Sequence, residues 1–94
     1  MVLYVKRIVI PQSVDRELVS ELHNLCIELS TVEYIVDYLY IRDRIVALLT
    51  KIGLIDQIDV CWKSCEVTYE EDGKPVLTLY EFTKEETWLT KPFY

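Results

Sequence analysis

One histidine, three cysteines and a run of carboxylates are the residues of this chain with chemistry to offer. His23 is a candidate general acid or base, a role that needs an orienting partner. Glu28 and Asp15 do not stand at a helical spacing that reaches it, so His23 reads as a half-exposed helix residue. Cys61 and Cys65 are four positions apart. On a strand both side chains point the same way, but roughly 13 Å separates them at ~3.3 Å per residue. That spacing rules out a disulfide between the two, or a shared metal ion, and it matches no zinc pattern. With Cys26 they make an odd number, which does not build a disulfide framework, and they read as core or half-buried thiols in a reducing compartment. As a nucleophile, any of them would have His23 alone as its base.

The carboxylates raise the question of a divalent-ion nuclease, which needs two or three of them to converge. Asp56, Asp59, Glu66, Glu70, Glu71 and Asp72 are the candidates. Glu70, Glu71 and Asp72 fall at an expected hairpin tip, where they splay into water, and Asp56 and Asp59 lack a matched partner. A solvated acidic edge is the better reading. Arg42 and Arg44, with Lys51 further along, place cations on one expected helix. A basic helix face can enter a DNA groove, and two helices before a hairpin suggest a winged helix that reads DNA with residues 31–52. The acidic hairpin tip argues against it, because a wing would touch phosphate. Local pairing with Glu33, Asp37 and Asp43 is the plainer role for these cations. No cofactor or metal motif is present, and the expectation is a chain without enzymatic activity.

The acidic balance is uneven. The net charge is −6, of which residues 1–53 hold −1 and residues 54–94 hold −5. An acidic surface repels phosphate backbones and disfavours nucleic acid. It suits solubility, or a basic protein partner facing residues 56–72 and 81–86, with Glu70, Glu71, Asp72, Glu81, Glu85 and Glu86 as its contacts. No apolar run approaches the ~20 residues a bilayer requires. Met1–Ile10 is interrupted by Lys6 and Arg7 and is not read as a signal peptide. The expected setting is therefore cytoplasmic.

These side chains need elements to hold them. An apolar fraction of 51% over 94 residues describes one globular domain, 1–94. Val2–Ile10 is rich in β-branched residues and ends at Pro11, which marks a strand. Ser13 is the expected N-cap of a first helix over about 14–29, whose stripe is Val14, Leu18, Leu22, Leu25, Cys26 and Leu29. Ser30-Thr31-Val32-Glu33 fits a capping box that opens a second helix, which runs to about Ile52 and stops at Gly53. Its apolar surface is wider than one face, led by Ile35, Leu39, Val46 and Leu49, so burial on two sides is expected. Cys61–Tyr69 and Val76–Thr83 flank Asp72-Gly73, a strong hairpin signal. A two-residue turn there pairs Val67 with Thr78, and a three-residue loop pairs Val67 with Leu79; the sequence leaves the register open. The order β-α-α-β-β gives an α+β fold, a small antiparallel sheet with two helices packed on one face.

Small domains lean on a partner chain, and a homodimer is the expectation. Tyrosine supplies seven of 94 residues, and it suits core and interface equally. Tyr34 and Tyr38, one helical turn apart, are the candidate dimer contacts. They are joined by Trp88 and Phe93 from a tail, 87–94, that docks either on its own domain or on a second subunit. In composition the chain, through segments such as Val32–Ile41 and Tyr69–Phe82, resembles the small orphan proteins of viruses of hyperthermophilic archaea. That resemblance implies a heat-stable, often dimeric protein of the host cytoplasm and assigns no residue a role.

Overall fold

A computed structural model describes residues 4–58 and 62–80. Its elements are β1 (Tyr4–Val9), α1 (Arg16–Ser30), α2 (Ile35–Lys51), a single 3₁₀ turn (Ile55–Gln57), β2 (Ser64–Tyr69) and β3 (Pro75–Tyr80). The order β-α-α-β-β and the α+β class are as the sequence reads. The expected strand contribution of Cys61, and the whole tail 87–94, lie outside the described residues.

The helix ends differ from the expected ones for a local reason. Asp15, not Ser13, caps α1, and its carboxylate accepts the Glu17 N–H at 3.0 Å. Ser30 and Thr31 are not the start of a capping box. Their hydroxyls donate back to the carbonyls of Ile27 at 2.6 Å and Glu28 at 2.8 Å, and so close α1 instead. A hydroxyl there can satisfy either the helix behind it or the one ahead, and here it satisfies the one behind. The second helix consequently begins later, with Tyr34 as an N-cap that makes no side-chain bond. Its end is as read. Gly53 has φ 81°, and the Leu54 N–H reaches the Leu49 carbonyl at 2.9 Å, the bond that closes a helix through a left-handed residue.

The sheet runs β1-β3-β2, with β3 antiparallel to both neighbours. The hairpin has a three-residue loop, but its register is neither of those anticipated: Val67 pairs with Leu77 and Cys65 with Leu79. Glu71 belongs to the loop. The Glu70 N–H donates to the Lys74 carbonyl at 2.9 Å, and the Gly73 N–H returns to the Glu70 carbonyl at 2.8 Å. Gly73 then takes φ 85°, the left-handed residue that completes a three-residue hairpin.

This register turns Cys65, Val67, Leu77 and Leu79 to one side, where they join Ile8 and Ile10. The α1 stripe Val19, Leu22, Leu25, Cys26 and Leu29 covers them, and α1 packs directly on β2. The second helix packs on α1 and buries Tyr38, Ile41, Ile45, Leu48 and Leu49 in the same core. Trp62, 1% exposed, and Leu54 fill the space beside it. The inward line of α2 is thus not the expected Ile35–Leu39–Val46–Leu49 stripe: Leu39 is 43% exposed. On the other face of the sheet Val76 and Thr78 are buried, and Arg7 on β1 reaches across β3 to Glu70 at 3.1 Å.

Candidate functional site

Two sites emerge, and the sequence pointed to neither as a unit. The first is a groove of about 450 Å³ where α1 gives way to α2. Glu28 lines it from the last turns of α1, Glu33 from the connection and Asp37 from the first turn of α2. Tyr34 and Tyr40 form its aromatic walls, and Ile41 and Val32 lie beneath. The groove exists because α1 closes at Thr31 and α2 does not start until Ile35. The extended link between them carries Glu33 and Tyr34 to one opening. None of the three carboxylates is paired with a cation among the described residues.

The hairpin tip, expected to be the main acidic surface, is weaker in fact. Glu70, Glu71 and Asp72 are exposed, but Glu70 is bridged to Arg7 at 3.1 Å and Asp72 to Lys74 at 3.7 Å. The Asp72 carboxylate also accepts the Lys74 N–H at 3.1 Å, so it shapes the turn. Glu81, Glu85 and Glu86 lie outside the described residues, as do Trp88 and Phe93.

The tyrosines expected at a dimer interface separate. Tyr34 is half-buried at the groove. Tyr38, contrary to that expectation, is 4% exposed, and its hydroxyl donates to the Trp62 carbonyl inside the chain's own core. It has no surface to give a second subunit. The choice of side follows from helical phase, since Tyr38, Ile41, Ile45 and Leu48 repeat every three or four residues. The expected pairing of Arg42 and Arg44 with nearby acids is also replaced. Each guanidinium lies over a ring at 5.8 Å, Arg42 over Trp62 and Arg44 over Tyr40. Arg42 Nε is buried without a hydrogen-bond partner among the described residues.

The second site is a pair of thiols. Cys26 of α1 and Cys65 of β2, 39 positions apart, bring their sulfurs to 2.6 Å in the core. They are 2% and 5% exposed. The hydrogen bond shared with Cys26, then burial, push the Cys65 thiol far above the ordinary range. Beside them is a cavity of about 180 Å³ lined by both cysteines with His23, Ile27, Ser30, Glu66 and Val67. His23 Nδ1 is buried without a hydrogen-bond partner among the described residues. The available signal was that Cys26 lay on the α1 stripe and Cys65 on one face of a strand. Which face turned inward depended on the hairpin register.

Among the described residues no group of three or more His, Cys, Asp or Glu is placed to hold a metal ion, and no helix is long and apolar enough to cross a membrane. Comparison with protein-family models, curated proteins and solved structures finds no match to this chain.

Proposed function

We propose that this protein is a non-catalytic interaction module of the cytoplasm that receives a basic segment of a partner protein in the α1–α2 groove. The observation that carries this is the convergence of Glu28, Glu33 and Asp37 on one concavity walled by Tyr34 and Tyr40. Carboxylates supply charge-assisted acceptors for Lys or Arg, and ring faces attract the same cations. The apolar side chains Val32 and Ile41, which also line the groove, suit the stem of a long basic side chain. The hairpin tip, where Glu70 is bridged to Arg7 and Asp72 to Lys74, offers less. The test is binding of a fluorescent Lys/Arg-rich peptide followed by anisotropy. Reversing Glu33 and Asp37 to lysine weakens it by about tenfold or more, whereas reversing Glu70 and Glu71 changes it by less. Equal binding by the groove variant removes the proposal.

A second reading, a homodimer through α2, is favoured by a separate observation. Val36, Tyr40 and Ala47 all lie on the side of α2 turned away from its core, and all are exposed. An antiparallel pairing of two copies sets Tyr40 near Ala47 and Asp43 near Arg44 of the second copy, a self-complementary pattern. Light scattering decides it: a particle of 11.1 kDa, the mass of one chain, excludes the dimer.

A further inference from the structure

We infer that Cys26 and Cys65 are a disulfide-forming pair, oxidised by a small-molecule disulfide that enters through the cavity beside His23. The geometry carries it. The two sulfurs come from different elements and stand at 2.6 Å. The α1 stripe around Cys26 and the β2–β3 face around Cys65 hold them there, since Leu22, Leu29, Val67 and Leu79 are all buried around the same seam. Bond formation, with sulfurs ~2.05 Å apart, needs a small approach and no unfolding. Burial ordinarily makes a thiol inert, but here both cysteines line a cavity that His23 also lines.

The two thiols have different parts. Cys26 shares α1 and the cavity with His23, so it is the sulfur assigned to attack, and Cys65 is the resolving thiol. His23 is three residues earlier on the same side of α1, lines the same cavity and has an unpartnered nitrogen to take the Cys26 proton. The Cys26 thiolate attacks one sulfur of the small disulfide R–S–S–R. The S–S bond breaks, a Cys26–S–S–R mixed disulfide forms, and the departing RS⁻ takes the proton from His23 and leaves as RSH. Cys65 then loses its proton and attacks the Cys26 sulfur. The second RS⁻ departs and takes up that proton. In total two protein thiols and RSSR become one protein disulfide and two RSH, with two electrons passing to the small molecule. In a reducing compartment the pair rests as dithiol and closes under oxidation.

The experiment incubates the full chain with glutathione disulfide and follows it by intact-mass spectrometry and peptide mapping. The expected product has lost two hydrogens and yields a Cys26–Cys65 cross-linked peptide, with Cys61 absent from the link and the mass restored by dithiothreitol. Cys65→Ser is expected to stop at a glutathione adduct on Cys26, because the resolving thiol is gone. His23→Gln is expected to slow closure by about tenfold or more near neutral pH without changing the product. Cys26 and Cys65 both remaining open to alkylation after prolonged oxidation overturns the proposal, as does a link that includes Cys61. An unchanged rate in His23→Gln overturns the part given to the imidazole.

Discussion

Tyr38 and Tyr40 stand two residues apart on one helix, and substitution should divide them sharply. Tyr38 is 4% exposed and donates its hydroxyl to the Trp62 carbonyl; Tyr40 is 65% exposed. Tyr38→Phe keeps the ring and its packing and removes one donor. A buried hydrogen bond contributes roughly 1 kcal/mol net, and a carbonyl deprived of its donor in the core raises the cost to about 1–3 kcal/mol. For a domain this size each kcal/mol moves Tm by roughly 4–8 °C. Tyr38→Phe should therefore lower Tm by ~10 °C, and Tyr38→Ala by much more, since emptying a large aromatic site costs about 3–5 kcal/mol. Tyr40→Ala removes an exposed ring and its contact with Arg44 and should cost at most about 1 kcal/mol, while weakening capture of a basic peptide. Thermal unfolding followed by circular dichroism reads all three. The reasoning fails if Tyr38→Phe melts with the parent chain, or if Tyr40→Ala is the more damaging of the two.

Four further outcomes are expected. Gly73→Ala forces a Cβ into φ 85° with open space around it, so the cost is backbone strain alone, about 1–2 kcal/mol by urea titration. The Arg7–Glu70 bridge is exposed at both ends, and Arg7→Ala should cost at most ~1 kcal/mol, shrinking further in high salt. The Tyr80 hydroxyl donates to Glu66 at 2.8 Å, and that bond raises the phenol above its ordinary value of 10.0. The folded chain then holds this proton more tightly than the unfolded one. Its stabilising contribution is complete below pH 10.0 and is lost as pH rises towards the folded value, so the alkaline decline of stability should lessen in Tyr80→Phe. Closing Cys26 to Cys65 cross-links a loop of 39 positions, which the chain-entropy estimate values at about 4 kcal/mol; the oxidised chain should need clearly more urea to unfold than the reduced one.

Much of the architecture is carried by local pattern. Val2–Ile10, the period-three-and-four stripe from Leu18 to Leu29, the stop at Gly53 and the turn at Asp72-Gly73 each act over a few residues. Elements that depend on neighbours in sequence can be read from it. The first helix's stripe and the hairpin's place were legible for that reason. Its capping was less so, because Ser30 and Thr31 hold hydroxyls that serve either of two adjoining helices, and here they close the first.

The functional features belong to the other kind. Sequence determined that this chain has an acidic C-terminal half, seven tyrosines, three thiols and one imidazole. Tertiary structure alone decided which of them meet. A hairpin loop that includes Glu71 shifts every cross-strand pair of β2 and β3, and that register sends Cys65 inward to Cys26. The rotation of α2 puts Tyr38 in the core and Tyr40 outside, although their compositions are identical. The link between the helices gathers Glu28, Glu33 and Asp37, while the tip acids, contiguous in the chain, are divided among Arg7, Lys74 and water. Proximity in a folded chain is set by register and helical phase, and a shift of one residue in either exchanges what is buried for what is exposed.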